Sequence, residues 1–142
     1  MIPTIIPLNN NKKSRKLLCL LYEDLKPIIN KRNYNISNLI ESPYNSENLG
    51  ENCSNDTDSV IYLKLKSSNG LYLSFEEIME TFIHEICHCK FHNHNKKFWN
   101  LLSLTTIEYE KMKNIKTTLR LLAENELKKR NEKIKYLRNI RF

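Results

Sequence analysis

The sequence predicts an α+β domain, a small sheet packed on helices with a basic helix at its C-terminal end, and three observations carry that prediction. Apolar residues recur at helical spacing in three separate stretches, and one segment alternates like a half-buried strand. Only two glycines, Gly50 and Gly70, fall within 142 residues, which favours helix over turn-rich architectures. At this length, and with 40% hydrophobic residues, the chain holds one core.

Residues 1–13 read as a polar, proline-punctuated flexible arm. Across residues 14–30, the apolar positions Leu17, Leu18, Leu21, Leu25, Ile28 and Ile29 mark an amphipathic helix, interrupted or bent near Pro27. A short strand is expected at 36–40. Residues 42–59, rich in asparagine, serine and acidic groups, form a long loop with no core-making pattern. The clearest strand is 60–66, where Ile61, Leu63 and Leu65 face a core and Lys64 and Lys66 face out. After the turn at 67–70, Ser74-Phe75-Glu76-Glu77 is a capping box that opens a helix. Ile78, Met79, Phe82, Ile83 and Ile86 give that helix its buried stripe. A further helix spans about 95–113, so residues 14–114 form the core domain and 115–142 a basic helical tail. No internal repeat is present, and the asparagine excess is read as compositional.

All four histidines lie in one eleven-residue window, as His84-Glu85-Ile86-Cys87-His88, then His92 and His94. Side chains four apart share one side of a helix, so His84 and His88 can meet one Zn²⁺ while Glu85 handles the proton of an attacking water. The H-E-x-x-H string inside a capped helix therefore points to a zincin-like minimal metalloprotease domain, with peptide-bond hydrolysis as the expected chemistry. A catalytic zinc needs a third protein ligand and an open position, and His92, His94 and Glu108 are the candidates. In an unbroken helix His92 would stand about 12 Å along the axis from His84, so the chain must turn first. His94, six residues after His88, allows that turn and is preferred; Glu108, about twenty residues on, is the alternative. His92 is read as a residue of the turn itself, because histidine tolerates positive φ.

Cys19, Cys53, Cys87 and Cys89 form no C-x-x-C pair and read as reduced thiols. Cys89, beside a metal histidine, is a candidate for the open position. The net charge of +7 is unevenly spread: residues 111–142 hold eleven Lys or Arg against three Glu, and residues 1–110 hold twelve against thirteen acidic residues. Lys128, Lys129, Arg130, Lys133, Lys135 and Arg138 make the tail a candidate for DNA phosphate contact, sequence-tolerant and salt-sensitive. No stretch approaches the ~18 apolar residues of a membrane span, and the opening residues lack the pattern of a signal peptide, so a nuclear or cytoplasmic protein with no membrane partner is expected.

The stretch HEICHCKFHNHNKKFW resembles the signature of the WLM metallopeptidases, yeast-type relatives of the Spartan proteases. In that family H-E-L-x-H is followed after five residues by a third histidine, then by Phe-Trp or Phe-Tyr. Leu25-Lys26-Pro27-Ile28-Ile29 is similar to the family's KPIM segment, Asn48-Leu49-Gly50 to its NLLG turn, and residues 61–66 to its strand of alternating aliphatic and basic residues. The likeness covers roughly residues 14–112. It implies a zinc protease that removes proteins covalently trapped on DNA, with single- or double-stranded DNA as scaffold and activator. It also implies His84, His88 and His94 as zinc ligands, Glu85 as general base, and Phe98 and Trp99 as packing residues behind the site. The chain departs from the pattern at His92, where the family has glycine, and at Cys89, where it has asparagine. The motifs for SUMO and for an AAA segregase carried by longer members are not evident. The same residues admit two alternatives: a zinc-stabilised DNA-binding or scaffold module without protease activity, and an intracellular zinc protease that ignores DNA.

Overall fold

The computed structural model describes residues 2–115, 117 and 121–129. The chain divides into two units, Met1–Lys90 and Phe91–Phe142. The first holds a four-stranded mixed sheet of β1 (Thr4–Ile6), β2 (Ile36–Ser42), β3 (Gly50–Ser54) and β4 (Ser59–Lys64), in the order β1-β2-β4-β3. The β1–β2 and β2–β4 pairs are parallel, and β3 returns antiparallel along β4. Two helices, α1 (Lys12–Lys31) and α2 (Phe75–Cys87), cover one face. Helix α1 lies against β1 and β2, α2 against β3 and β4, and the helices touch each other. Alternation along the strands decides what they meet: Leu39 pairs with Ile61, and with Leu63 these fully buried residues point at the helices, while Val60, Tyr62 and Lys64 on the other face stay half-exposed. Leu18, Leu21 and Leu25 of α1, with Phe82 and Ile86 of α2, close the core, each contributing about 2 kcal/mol through apolar burial. The α+β class expected from the sequence is the one the chain adopts.

Residues 1–13 are not the flexible arm expected. Thr4–Ile6 pair in parallel with Asn38, Leu39 and Ile40, and the 3-10 turn at Leu8–Asn10 is tied down where the Leu8 N–H donates to the buried carboxylate of Glu41 at 2.8 Å. Three residues, two of them apolar, are too few to signal a strand; the partner strand supplies the order. The loop expected at 42–59 is likewise interrupted by β3, whose sequence, GENCS, lacks β-branched or aromatic residues. Its ladder with β4 holds it in place. Helix α1 runs unbroken through Pro27, because the backbone there faces solvent and water can serve the carbonyl that proline leaves without a donor.

The asparagine excess has a structural use. All four described non-glycine residues with positive φ are asparagines, at 9, 10, 33 and 114, so asparagine takes left-handed positions that glycine usually fills. Asn11 and Asn95 also cap helices, accepting from the Ser14 and Phe98 N–H groups.

In the second unit, α3 (Lys96–Lys113) starts at the Asn95 cap and stops where Asn114 turns left-handed and Ile115 N–H bonds the Glu110 carbonyl at 3.0 Å. Phe98, Leu102 and Tyr109 of α3 are buried. Residues 121–129 are helical, with Lys128 and Lys129 exposed and Lys129 paired to Glu126 at 3.8 Å. Arg130, Lys133, Lys135 and Arg138 lie outside the described residues. No described helix is long and apolar enough to cross a membrane.

Candidate metal centre and the strand beside it

The capping box begins α2, though only half of it forms as expected. The Ser74 hydroxyl accepts from the Glu77 N–H and donates to the Glu77 carboxylate, both at 3.1 Å, so Glu77 holds the hydroxyl instead of the Ser74 backbone. Glu76 and Glu77 suit the positive end of the helix dipole. The helix ends at Cys87 with His88 as its cap. The chain thus leaves the helix six residues before His94, as expected for a third ligand at that position. His92 is exposed and has no positive φ, so the left-handed turn expected there does not form. Its departure from the family's glycine is therefore free of backbone strain.

The Nε2 atoms of His84 and His88 lie 3.2 Å apart. Two nitrogens bound at 2.0–2.1 Å to a tetrahedral zinc stand roughly 3.3 Å apart, so this pair already has the spacing of two ligands on one ion. Two imidazole lone pairs this close repel unless a proton or a cation lies between them. Among the described residues, His84, His88 and His94 form a group that could hold a metal ion, their ligand atoms all within 4.8 Å of one another. Glu108 and Cys89 are not in that group. In its own unit His94 rests on an aromatic bed: its ring stacks on Trp99 at 5.7 Å and meets Phe98 edge-on at 4.9 Å, and the Trp99 indole N–H donates to the His94 carbonyl at 3.2 Å. The imidazole orientation is thereby fixed before any ligand arrives.

Glu85 is 8% exposed, and its carboxyl is raised to about 7, first by burial and second by the nearby Glu51 carboxylate. In the metal-free chain it sits at the threshold between protonated and ionised near neutral pH, which suits a group that takes and returns a proton. A bound cation would draw it toward the ionised form.

Strand β3 shapes the other side of this helix turn. A Cβ at Gly50 would stand 2.6 Å from Thr81 Cγ2, 2.9 Å from Glu85 Cγ and 3.1 Å from Glu85 Oε2, so only glycine lets the strand backbone approach the general-base candidate this closely. Two residues on, Asn52 Nδ2 donates to the Glu85 carbonyl at 2.7 Å and to Cys89 Sγ at 3.4 Å. Ser54 donates to Asn52 Oδ1 and shares a 2.7 Å hydrogen bond with Ser59, fixing the amide's orientation. Burial pushes the Cys89 thiol up, keeping it a neutral acceptor. Replacing Asn52 with alanine is expected to cost about 1 kcal/mol, at the low end for a buried hydrogen bond, because the Glu85 carbonyl keeps its bond from the His88 N–H. Urea denaturation of the two proteins measures this.

Sequence reasoning singled out the histidines and Glu85 but passed over Gly50 as a contact, Asn52 and Glu51, because all three lie in the segment read as loop. The scarcity of glycine was the one available signal: of the chain's two glycines, Gly50 stands where a side chain cannot fit and Gly70 where φ is positive.

With this geometry in view, the comparisons with known proteins fall into place. The family model of the WLM domain matches residues 2–138. A DNA-dependent metalloprotease WSS1 homolog from Schizosaccharomyces pombe is 31% identical over 77 residues, 54% of this chain and 29% of that protein. The chain therefore spans less than a third of the length of this curated relative. The crystal structure of Wss1 from Saccharomyces cerevisiae superposes with a TM-score of 0.72 at 25% identity, covering 79% of this chain and 91% of that one. Wss1 from S. pombe superposes with a TM-score of 0.66 at 24% identity, covering 77% and 92%. A match over nearly the whole chain, on the same fold, makes this protein a member of the WLM domain family.

Proposed function

We propose that this chain is a zinc-dependent endopeptidase that cleaves proteins bound or crosslinked to DNA, stimulated by DNA and acting in the nucleus or cytoplasm. The observation that carries the reading is the pair of Nε2 atoms at ligand spacing on one helix turn, with the buried Glu85 between them in sequence. The likeness to a relative named a DNA-dependent metalloprotease supplies the substrate class.

His84, His88 and His94 hold the ion, and their donor set of three imidazoles suits zinc. When bound, zinc lowers the pKa of a water toward about 7 and draws charge from the scissile carbonyl oxygen. Glu85 accepts the proton of the attacking water on a carboxylate oxygen, then delivers it to the leaving amide nitrogen. Burial of Glu85 keeps bulk water from competing for that proton. The substrate lies extended beside β3, the strand at the end of the β1-β2-β4-β3 order, and pairs through its backbone, so side chains are read weakly. Restraint then comes from DNA, which brings enzyme and substrate onto one strand and raises their effective concentration. The exposed Lys128 and Lys129, with Arg130, Lys133, Lys135 and Arg138, contribute phosphate contacts.

The test is cleavage of a DNA-bound basic protein by zinc-loaded enzyme, with and without single-stranded DNA. Cleavage that DNA stimulates supports the reading. Cleavage indifferent to DNA leaves a DNA-independent zinc protease, and no cleavage at stoichiometric zinc leaves the scaffold module.

A further inference from the structure

A second basic surface lies on the first unit, built from three separate segments. The first five residues of α1 include Lys12, Lys13, Arg15 and Lys16 and no acidic residue. This inverts the usual preference, since the N-terminal end of a helix is its positive end and favours carboxylates. Arg15 is occupied, donating to the Ile5 carbonyl at 3.3 Å and to Asn10 Oδ1 at 2.8 Å. Lys12, Lys13 and Lys16 are exposed, and their spacing places them on one helix stripe.

The stripe continues onto the turn after β4. Lys66 and Tyr72 face each other as an isolated antiparallel bridge that closes that turn. Tyr72 is fixed against α1, its hydroxyl sharing a 3.0 Å hydrogen bond with the buried Ser14. Two ammonium groups then gather over its ring, Lys13 Nζ at 4.5 Å and Lys66 Nζ at 4.9 Å from the centroid. Among the described residues, none of Lys12, Lys13, Lys16 and Lys66 forms an ion pair. Glu41 is buried on the Leu8 N–H, and Glu77 holds the Ser74 hydroxyl. Cations collected on one ring without a counter-charge repel each other, and a row of anions relieves that repulsion.

We propose that Lys12, Lys13, Lys16 and Lys66, ordered around Tyr72, form a nucleic-acid backbone contact surface on the protease core, separate from the tail. The occupant is a phosphodiester strand. Lysine ammonium groups pair with phosphate as point charges, and the Tyr72 ring is engaged by those ammonium groups, so the surface reads charge and not base identity. This inference rests on the DNA partner of the proposed function and not on its peptidase chemistry.

The test is fluorescence anisotropy of a labelled mixed-sequence single-stranded oligonucleotide with the full chain, across a series of salt concentrations. Changing the exposed Lys12, Lys13 and Lys16 and the half-exposed Lys66 to glutamine, K12Q/K13Q/K16Q/K66Q, is expected to weaken binding at least about tenfold at low salt and to flatten the slope of log K against log salt by roughly 3. K128Q/K129Q serves as the tail comparator, and circular dichroism shows that each variant keeps its helices. Tyr72→Phe, which keeps the ring, is expected to retain binding. Wild-type binding that the four lysine changes leave intact overturns the surface alone. No binding by the wild type overturns both this surface and the DNA component of the proposed function. Binding to phosphatidylserine vesicles that the same lysines control, without oligonucleotide binding, overturns it in favour of a membrane surface. Loss of peptide cleavage with binding unaltered affects the protease reading only.

Discussion

Glu85→Gln is expected to slow peptide hydrolysis by about 10²–10⁴-fold, the usual contribution of a general base, and to make the metal-free protein more stable. The second effect follows from the raised carboxyl. Between its ordinary value of 4.5 and about 7, the folded chain binds a proton on Glu85 that the unfolded chain has released. Stability therefore falls as pH rises through that window, and it stays lowered above it. Glutamine removes the penalty while keeping the shape. In chelator the variant should gain on the order of 2 kcal/mol at pH 8 and nothing near pH 4, a value set below full linkage because the carboxyl keeps a path to solvent. Zinc should shrink the gain, since the cation favours the ionised form. Thermal melts at the two pH values in chelator decide the matter. Equal pH dependence in both proteins would show that Glu85 is not the strained group, and unchanged cleavage would remove it from the reaction. A residue that costs stability when no metal is bound and supplies rate when one is has the signature of a functional site.

How much was legible in the sequence follows from which interactions are local. The cap at Ser74, the apolar stripe of α2 and the four-residue spacing of His84 and His88 are properties of a single helix, and periodicity reports them faithfully. The same helical spacing even set the requirement for a turn before His94, because an unbroken helix cannot bring a distant imidazole back. Strands β1 and β3 failed for the opposite reason. Their sequences, TII and GENCS, carry little pattern, and each exists because β2 or β4 offers a ladder. The left-handed turn assigned to His92 failed because a preference for positive φ says where it is tolerated and not where it is used. The chain spends it on asparagines at 9, 10, 33 and 114. Non-local pairing thus hid the elements that border the candidate site, while local geometry made its helix and histidine spacing legible.

Gly50→Ala is the second large expected effect, and it tests that hidden element directly. The new methyl would meet Thr81 Cγ2 at 2.6 Å and Glu85 Cγ at 2.9 Å, closer than carbon atoms pack. Thr81 cannot easily yield, since its hydroxyl bonds the Glu77 carbonyl at 3.2 Å and a β-branched side chain in a helix has few rotamers. Either β3 moves off α2 or Glu85 is displaced. Overpacking of this kind costs about 1–3 kcal/mol, and a displacement near 1 Å at a reacting group can cost roughly 10²-fold in rate. The two consequences separate in the double variant Gly50→Ala/Thr81→Ala. Removing Cγ2 relieves the closer clash, so urea stability should recover by about 1 kcal/mol or more through coupling between neighbours. The contact with Glu85 remains, so hydrolysis should stay low. Recovery of both together would mean that β3 acts only as packing. Recovery of stability without rate would mean that the bare backbone at Gly50 is there to leave room for the Glu85 carboxylate.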